Sequence, residues 1–280
     1  MDPEELTAVG AAVQAELPPD THMGAVHLTV ADLDRSLAYY ETQIGLVVHG
    51  GEDARARLGT GDDDLLVLTE EPGAKPAVGY SGLFHFALLV PERVDLARWL
   101  AHAARERVPL SGLSDHYVSE AIYLQDPDQH GIEIYADRPR ELWEGRVGER
   151  LTTLPLDTRD LLSVLEDPRT EPFDGLPAGT VMGHVHLCVA DVEESVAYYR
   201  DVIGFGLMAQ LGNQAAFLSA GGYHHHLGAN IWQSRGAQYA PEGYARLTQM
   251  TVVLPRASGL EARRVTDPSG IPVAFELGDT

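Results

Sequence analysis

Val26–Gly45 reads VHLTVADLDRSLAYYETQIG, and Val185–Gly204 reads VHLCVADVEESVAYYRDVIG. The offset is a constant 159 residues (27 to 186, 40 to 199), so the 280-residue chain contains two related halves. Within the quoted stretch, Val26, Leu28 and Val30 alternate with His27 and Thr29, the period of a strand with one face buried. Asp32 stands where a helix N-cap is expected. Leu33, Leu37, Tyr40 and Ile44 then recur at helical spacing, and Gly45 closes the helix. Short strands follow near Leu46–Gly50, Ala54–Leu58 and Leu65–Thr69.

Each half divides again. LFHFALLVP (Leu83–Pro91) opens a second unit, followed by a helix over Val94–Glu106 and strands at Ala121–Leu124 and Gly131–Tyr135. The C-terminal half repeats the scheme from His184 and again from Arg246–Leu254. Its last unit is short and ends at Val273–Leu277. The chain therefore reads as α+β, four βαβββ modules in two halves. The expected divisions are an extension over 1–21, modules one and two over 22–138, a linker over 139–180, and modules three and four over 181–280. The linker is rich in prolines and charged residues and holds one short helix at Thr158–Leu165.

Composition narrows the function classes. The formal charge is −22, from 42 acidic and 20 basic residues, which argues against nucleic acid or anionic membrane as a partner. A single cysteine, Cys188, excludes an internal disulfide or a cysteine metal cluster and fits a reducing cytoplasm. The acidic N-terminus lacks the basic start and apolar core of a signal peptide, and no apolar run is long enough to span a bilayer.

Four βαβββ modules with histidines on their first strands resemble the vicinal oxygen chelate superfamily. Within it, the chain resembles the two-domain catechol 2,3-dioxygenase-like proteins, which cleave aromatic rings beside a diol. The most specific segment is Ser114–Glu133, SDHYVSEAIYLQDPDQHGIE. His116, Ile122, Tyr123, Asp126, Pro127 and Glu133 fit the family signature. Ser114 and Gln129 depart from it, and Gln129 stands where Gly or Pro is usual, so the turn that sets the reach of Glu133 is expected to differ.

The resemblance implies a cup of strands around a metal held by two His and one Glu, with open positions for a catechol and dioxygen. That ligand set suits Fe(II), with Mn(II) as the alternative. His85 lies between Phe84 and Phe86, and Glu133 between Ile132 and Ile134, so both face away from an apolar layer. The third ligand is His186 if the modules pair crosswise, two with three and one with four. It is His27 if they pair in order. Crossed pairing is favoured because module four is depleted: Gln249 aligns with His85, and Ala274 with Glu133. Under crossed pairing, modules one and four form a structural cup without metal ligands. His184 also points to the cup and stands beside the ligands.

GYHHHLGANIW (Gly222–Trp232) then lines the cup opposite His85 and Glu133. Strand alternation puts His224, His226 and Asn230 on one face and His225, Leu227 and Ile231 on the other. His226 is the expected proton shuttle, and His225 a structural histidine. Tyr123 and His116 match residues that hydrogen-bond substrate oxygens in the family. His49, His102 and His130 receive no role. The partners implied are a catechol-type aromatic and O2, in a family whose members often assemble as homo-oligomers. Two rivals remain: a glyoxalase-like isomerase or lyase on another divalent metal, and a metal-free module binding an aromatic compound or antibiotic. The first usually carries an additional Glu or Gln ligand. Neither DLLVLTEE (Asp64–Glu71) nor HHLGANIW offers a carboxylate at the inward position.

Overall fold

The computed structural model describes residues 17–278, so the expected extension lies largely outside the described residues. The quoted repeat folds as its pattern requires. Val26–Val30 is a strand, and the Asp32 carboxylate caps the helix Leu33–Tyr39 by accepting from Arg35 N at 2.9 Å. The last turn, Tyr40–Ile44, widens to i→i−5 bonding and stops at Gly45, whose φ of 92° suits glycine. The second copy repeats every step. Asp191 caps Val192–Ala197, Tyr198–Ile203 widens, and Gly204 terminates at φ 103°. The first three modules are complete. The fourth keeps its first strand, Leu247–Pro255, and two later strands, Arg263–Thr266 and Pro272–Gly278, with a single 3-10 turn (Arg256–Ser258) in place of the helix.

The sheets are built crosswise. A nine-stranded sheet joins module two to module three, with Gly82–Leu89 antiparallel to Val181–Cys188 and His186 opposite His85. An eight-stranded sheet joins module one to module four, with Val26–Val30 antiparallel to Leu247–Pro255 and Gln249 opposite His27. Each sheet therefore contains strands from both halves of the chain. The apolar alternates (Val26, Leu28, Phe86, Leu88, Ile132, Ile134, Val185, Leu187) enter one continuous core beneath the helices. The other face of each first strand is thereby left for polar side chains.

The 139–180 segment is ordered against this frame. Leu154–Pro155 adds an edge strand to the nine-stranded sheet, and Thr158–Leu162 is helical, shorter than expected. Trp143, Val147 and Leu151 form a second apolar cluster with Val118 and Ala209. Among the described residues, no helix is long and apolar enough to cross a membrane.

The helices pack in order although the sheets cross. The buried Tyr40 hydroxyl of module one donates to Asp126 of module two at 2.9 Å, and Tyr199 of module three donates to Asp267 of module four at 3.0 Å. Both aspartates sit in the Asp-Pro turns and also accept backbone N–H groups two and four residues on. Among the differences between the turns, His130 occupies the position held by Ile271 in the other copy. Burial alone would raise Asp126, but the His130 ring 2.9 Å away brings it below the usual carboxylate range. Asp267, without an imidazole, is raised by burial. His130 is raised in turn, because the Asp126 carboxylate outweighs the effect of burial. A histidine raised on folding contributes stability that is complete below its unfolded value of about 6.5 and is lost as pH rises through the folded value. Chemical denaturation is thus expected to show wild-type stability falling on the alkaline side. His130→Asn should flatten that fall, and Asp126→Asn should cost about 1–3 kcal/mol near neutrality.

Candidate metal centre

Three strands of the nine-stranded sheet bring three donor atoms together. His85 lies on Gly82–Leu89, Glu133 on Gly131–Asp137, and His184 on Val181–Cys188. Glu133 Oε2 is 3.0 Å from His85 Nε2 and 3.1 Å from His184 Nε2, and the two ring nitrogens are 3.3 Å apart. All three residues are buried. A first-row divalent ion bound at about 2.1 Å by ligands near right angles sets its donors about 3 Å apart. The triangle fits such an ion, and the donor set of two imidazoles and one carboxylate is that of a divalent metal site.

The electrostatics agree. Burial would raise Glu133, but the imidazoles of His184 and His85 hold it well below the usual carboxylate range. Burial lowers His184 to about 4 and pushes His186 and His225 well below the ordinary range, with neighbouring imidazoles adding to each fall. At neutral pH His184, His186 and His225 are therefore neutral rings beside one carboxylate, the protonation state a metal needs.

The expected third ligand was His186 or His27, but the geometry groups His184 with His85 and Glu133. His186 shares the face, and its ring centroid is 5.0 Å from that of His85. It lies among Phe84, Phe217 and Trp232, with its Nε2 buried and unpartnered. His27 belongs to the other sheet, with its Nε2 3.4 Å from the Gln249 amide. The signal that favours His184 was present in the repeat. Its first-half counterpart is Ala25, so Ala25, Gln249 and Ala274 together replace the whole triad in modules one and four. His27 survives there as the counterpart of His186.

The triple histidine lies differently from the expected alternation. Gly221 and Gly222 take positive φ (60° and 68°), and the strand begins only at Leu227, so 224–226 are irregular backbone. It is the His225 ring that packs on His184, at 4.1 Å between centroids. His226 turns toward Tyr223 at 5.0 Å; its Nδ1 accepts from Ala220 N and lies 3.1 Å from Ser219 Oγ. His224 is fully buried, 2.9 Å from Asp137 Oδ1 and 2.8 Å from His225 Nδ1.

Tyr123 is directly opposite Glu133 on the neighbouring strand, and its ring is 5.5 Å from that of His85. Its hydroxyl is 2.7 Å from His116 Nε2, while His116 Nδ1 is 2.6 Å from Thr152 O. A carbonyl only accepts, so Nδ1 carries the proton. In the neutral ring Nε2 then accepts from the phenol. Burial and the charge of Glu133 raise Tyr123 well above the usual phenol range, so it remains a phenol. The signature's odd residue is accommodated: Gln129 adopts φ 68°, the conformation a glycine would take, and Glu133 keeps its register.

Two glycines make room for these rings. A Cβ on Gly183 would overlap the Tyr135 hydroxyl, and one on Gly228 would sit 2.7 Å from the His186 ring. Gly183→Ala and Gly228→Ala are each expected to lower stability by about 1–3 kcal/mol. Gly73→Ala, which meets nothing within 4 Å but has φ 75°, should cost only its backbone strain of about 1–2 kcal/mol. Thermal melts of the three variants check the ranking.

The profile of the Glyoxalase/Bleomycin resistance protein/Dioxygenase superfamily matches residues 22–134 and 181–240. A Catechol-2,3-dioxygenase of Bacillus subtilis is 44% identical over 246 residues, covering 86% of each chain. Glyoxalase I from Zea mays shares the fold at a TM-score of 0.55 and 17% identity, over 91% of this chain and 92% of its own. The cppA protein of Streptococcus pneumoniae does so at 0.54 and 14%, over 95% and 100%. The repeat, the crossed sheets and these matches together establish that the chain belongs to the Glyoxalase/Bleomycin resistance protein/Dioxygenase superfamily.

Proposed function

We propose that the protein is an extradiol dioxygenase that cleaves a catechol-type ring with O2. The observation that carries this reading is the buried triangle of His85, Glu133 and His184 donors, 3.0–3.3 Å apart. Its support is the 44% identity to a protein named Catechol-2,3-dioxygenase. We assign the ligands as His85, His184 and Glu133, and the metal as Fe(II), the ion that a donor set of two histidines and one carboxylate with open positions suits. Held by His85, His184 and Glu133, Fe(II) would supply Lewis acidity toward the diol and redox chemistry with dioxygen.

The surrounding residues orient the substrate and handle its protons. Tyr123, its proton directed to His116, presents a lone pair beside the ligands and accepts from a diol hydroxyl. His225, whose ring packs on His184, is the acid–base residue in this reading. His226, the proton shuttle expected from the strand pattern, is occupied with Ser219 and Ala220 and supports the turn. Phe84, Phe217 and Trp232 supply apolar wall for an aromatic ring.

Anaerobically purified protein supplied with Fe(II) should bind close to one ion per chain and consume catechol and O2 in equal amounts. Glu133→Gln and His184→Ala should lose the ion, whereas His186→Ala and His27→Ala should retain it. His225→Gln should keep the ion and turn over about 100-fold or more slowly, within the range of general acid–base catalysis. His226→Gln should be much less affected in rate. Full retention of iron by His184→Ala, with loss in His186→Ala, contradicts the assignment.

A further inference from the structure

We propose that Asp137 and His224 are positioning residues that fix which ring nitrogen of His225 is free of a proton. The inference follows from an unbroken chain of contacts. Asp137 Oδ1 is 2.9 Å from His224 Nε2, His224 Nδ1 is 2.8 Å from His225 Nδ1, and the His225 ring packs on His184. An ionised carboxylate only accepts, so His224 Nε2 carries the proton of that contact. With that single proton, the His224 ring has a bare Nδ1. That nitrogen accepts, so His225 Nδ1 carries its own proton and donates it. His225 Nε2 is left as the bare nitrogen, the form in which an imidazole acts as a base.

The surroundings prevent the chain from rearranging. His224 is fully buried between Tyr223 at 4.0 Å, Trp143 at 5.5 Å and Tyr135 at 6.1 Å between centroids. No solvent reaches it to satisfy the opposite tautomer. Asp137 lies four residues from Glu133 on one strand, so alternation puts both carboxylates on the same sheet face. Glu133 serves the metal donors, and Asp137, a quarter exposed, anchors the histidine chain at the strand's end.

This inference rests on the ring-cleaving reading only for what the bare nitrogen does, not for where the proton sits. The test therefore reads the proton directly. Full-length nitrogen-15-labelled protein loaded with diamagnetic Zn(II) is examined by long-range ring proton–nitrogen correlation near neutral pH, with His224→Gln and His225→Gln used for assignment. The expected spectrum has His224 protonated on Nε2 and His225 on Nδ1, with His225 Nε2 of pyridine type. Asp137→Ala should abolish this fixed pattern and lower kcat with catechol about 10–100-fold with little change in KM, and Asp137→Glu should restore part of both. A wild-type spectrum with the His225 proton on Nε2, or a pattern unchanged in Asp137→Ala, overturns the proposal. The wild-type spectrum decides even if the variant does not fold. A protein inactive on catechol that still shows the expected tautomers fails the ring-cleaving reading alone.

Discussion

The antiparallel pairing of Gly82–Leu89 with Val181–Cys188 is the constraint on which the site depends. The two first strands come from different halves of the chain. Their register sets His186 opposite His85 and puts His184 on the same face. The parallel neighbour of Gly82–Leu89 is Gly131–Asp137, which carries Glu133 to within 3.1 Å of both ligand nitrogens. The parallel neighbour of Val181–Cys188 is Leu227–Asn230, preceded by the histidine turn. Neither half alone has the donor set. The Tyr40–Asp126 and Tyr199–Asp267 bonds hold the modules in sequential pairs within each half, while the crossed sheets join the two halves.

That pairing concentrates imidazoles around one buried carboxylate. His85, His184, His186 and His225 contact one another in series. Charging several of them in so small a volume would cost strong like-charge repulsion as well as desolvation. Burial holds His184, His186 and His225 neutral, and Glu133 keeps its charge because the nearby nitrogens compensate it. The result is a preformed set of lone pairs and one anion, which a divalent cation complements. The same logic explains why the histidine turn is wired outward to Asp137 and not left as a free cluster: each buried nitrogen needs a defined donor or acceptor role.

The repeat, the four modules, the crossed pairing and the pair His85 and Glu133 were all legible in the sequence, because period-two alternation and the Asp-Pro turns carry that information locally. The identity of the third histidine was harder to read. His184 and His186 lie two residues apart on one face, and alternation cannot rank them. The distances to Glu133 group His184 with it, and the replacement of the whole set by Ala25, Gln249 and Ala274 in modules one and four carried the same message. The placement of the histidine turn was illegible for a different reason. Two glycines at positive φ break the strand before His224, so an alternation counted through them assigns His225 and His226 to the wrong surroundings. The ordered 139–180 segment depends on packing between distant residues, which periodicity does not report.

Modules one and four build a sheet of the same kind in which His27 stands against Gln249. The molecule thus carries its own internal control for the role assigned to the triad. The most direct measurement is anomalous diffraction at the iron edge from crystals loaded with Fe(II) under anaerobic conditions. One peak within about 2.0–2.3 Å of His85 Nε2, His184 Nε2 and a Glu133 carboxylate oxygen is the result predicted. A peak held by His186 instead of His184, or one lying between His27 and Gln249, would contradict the account.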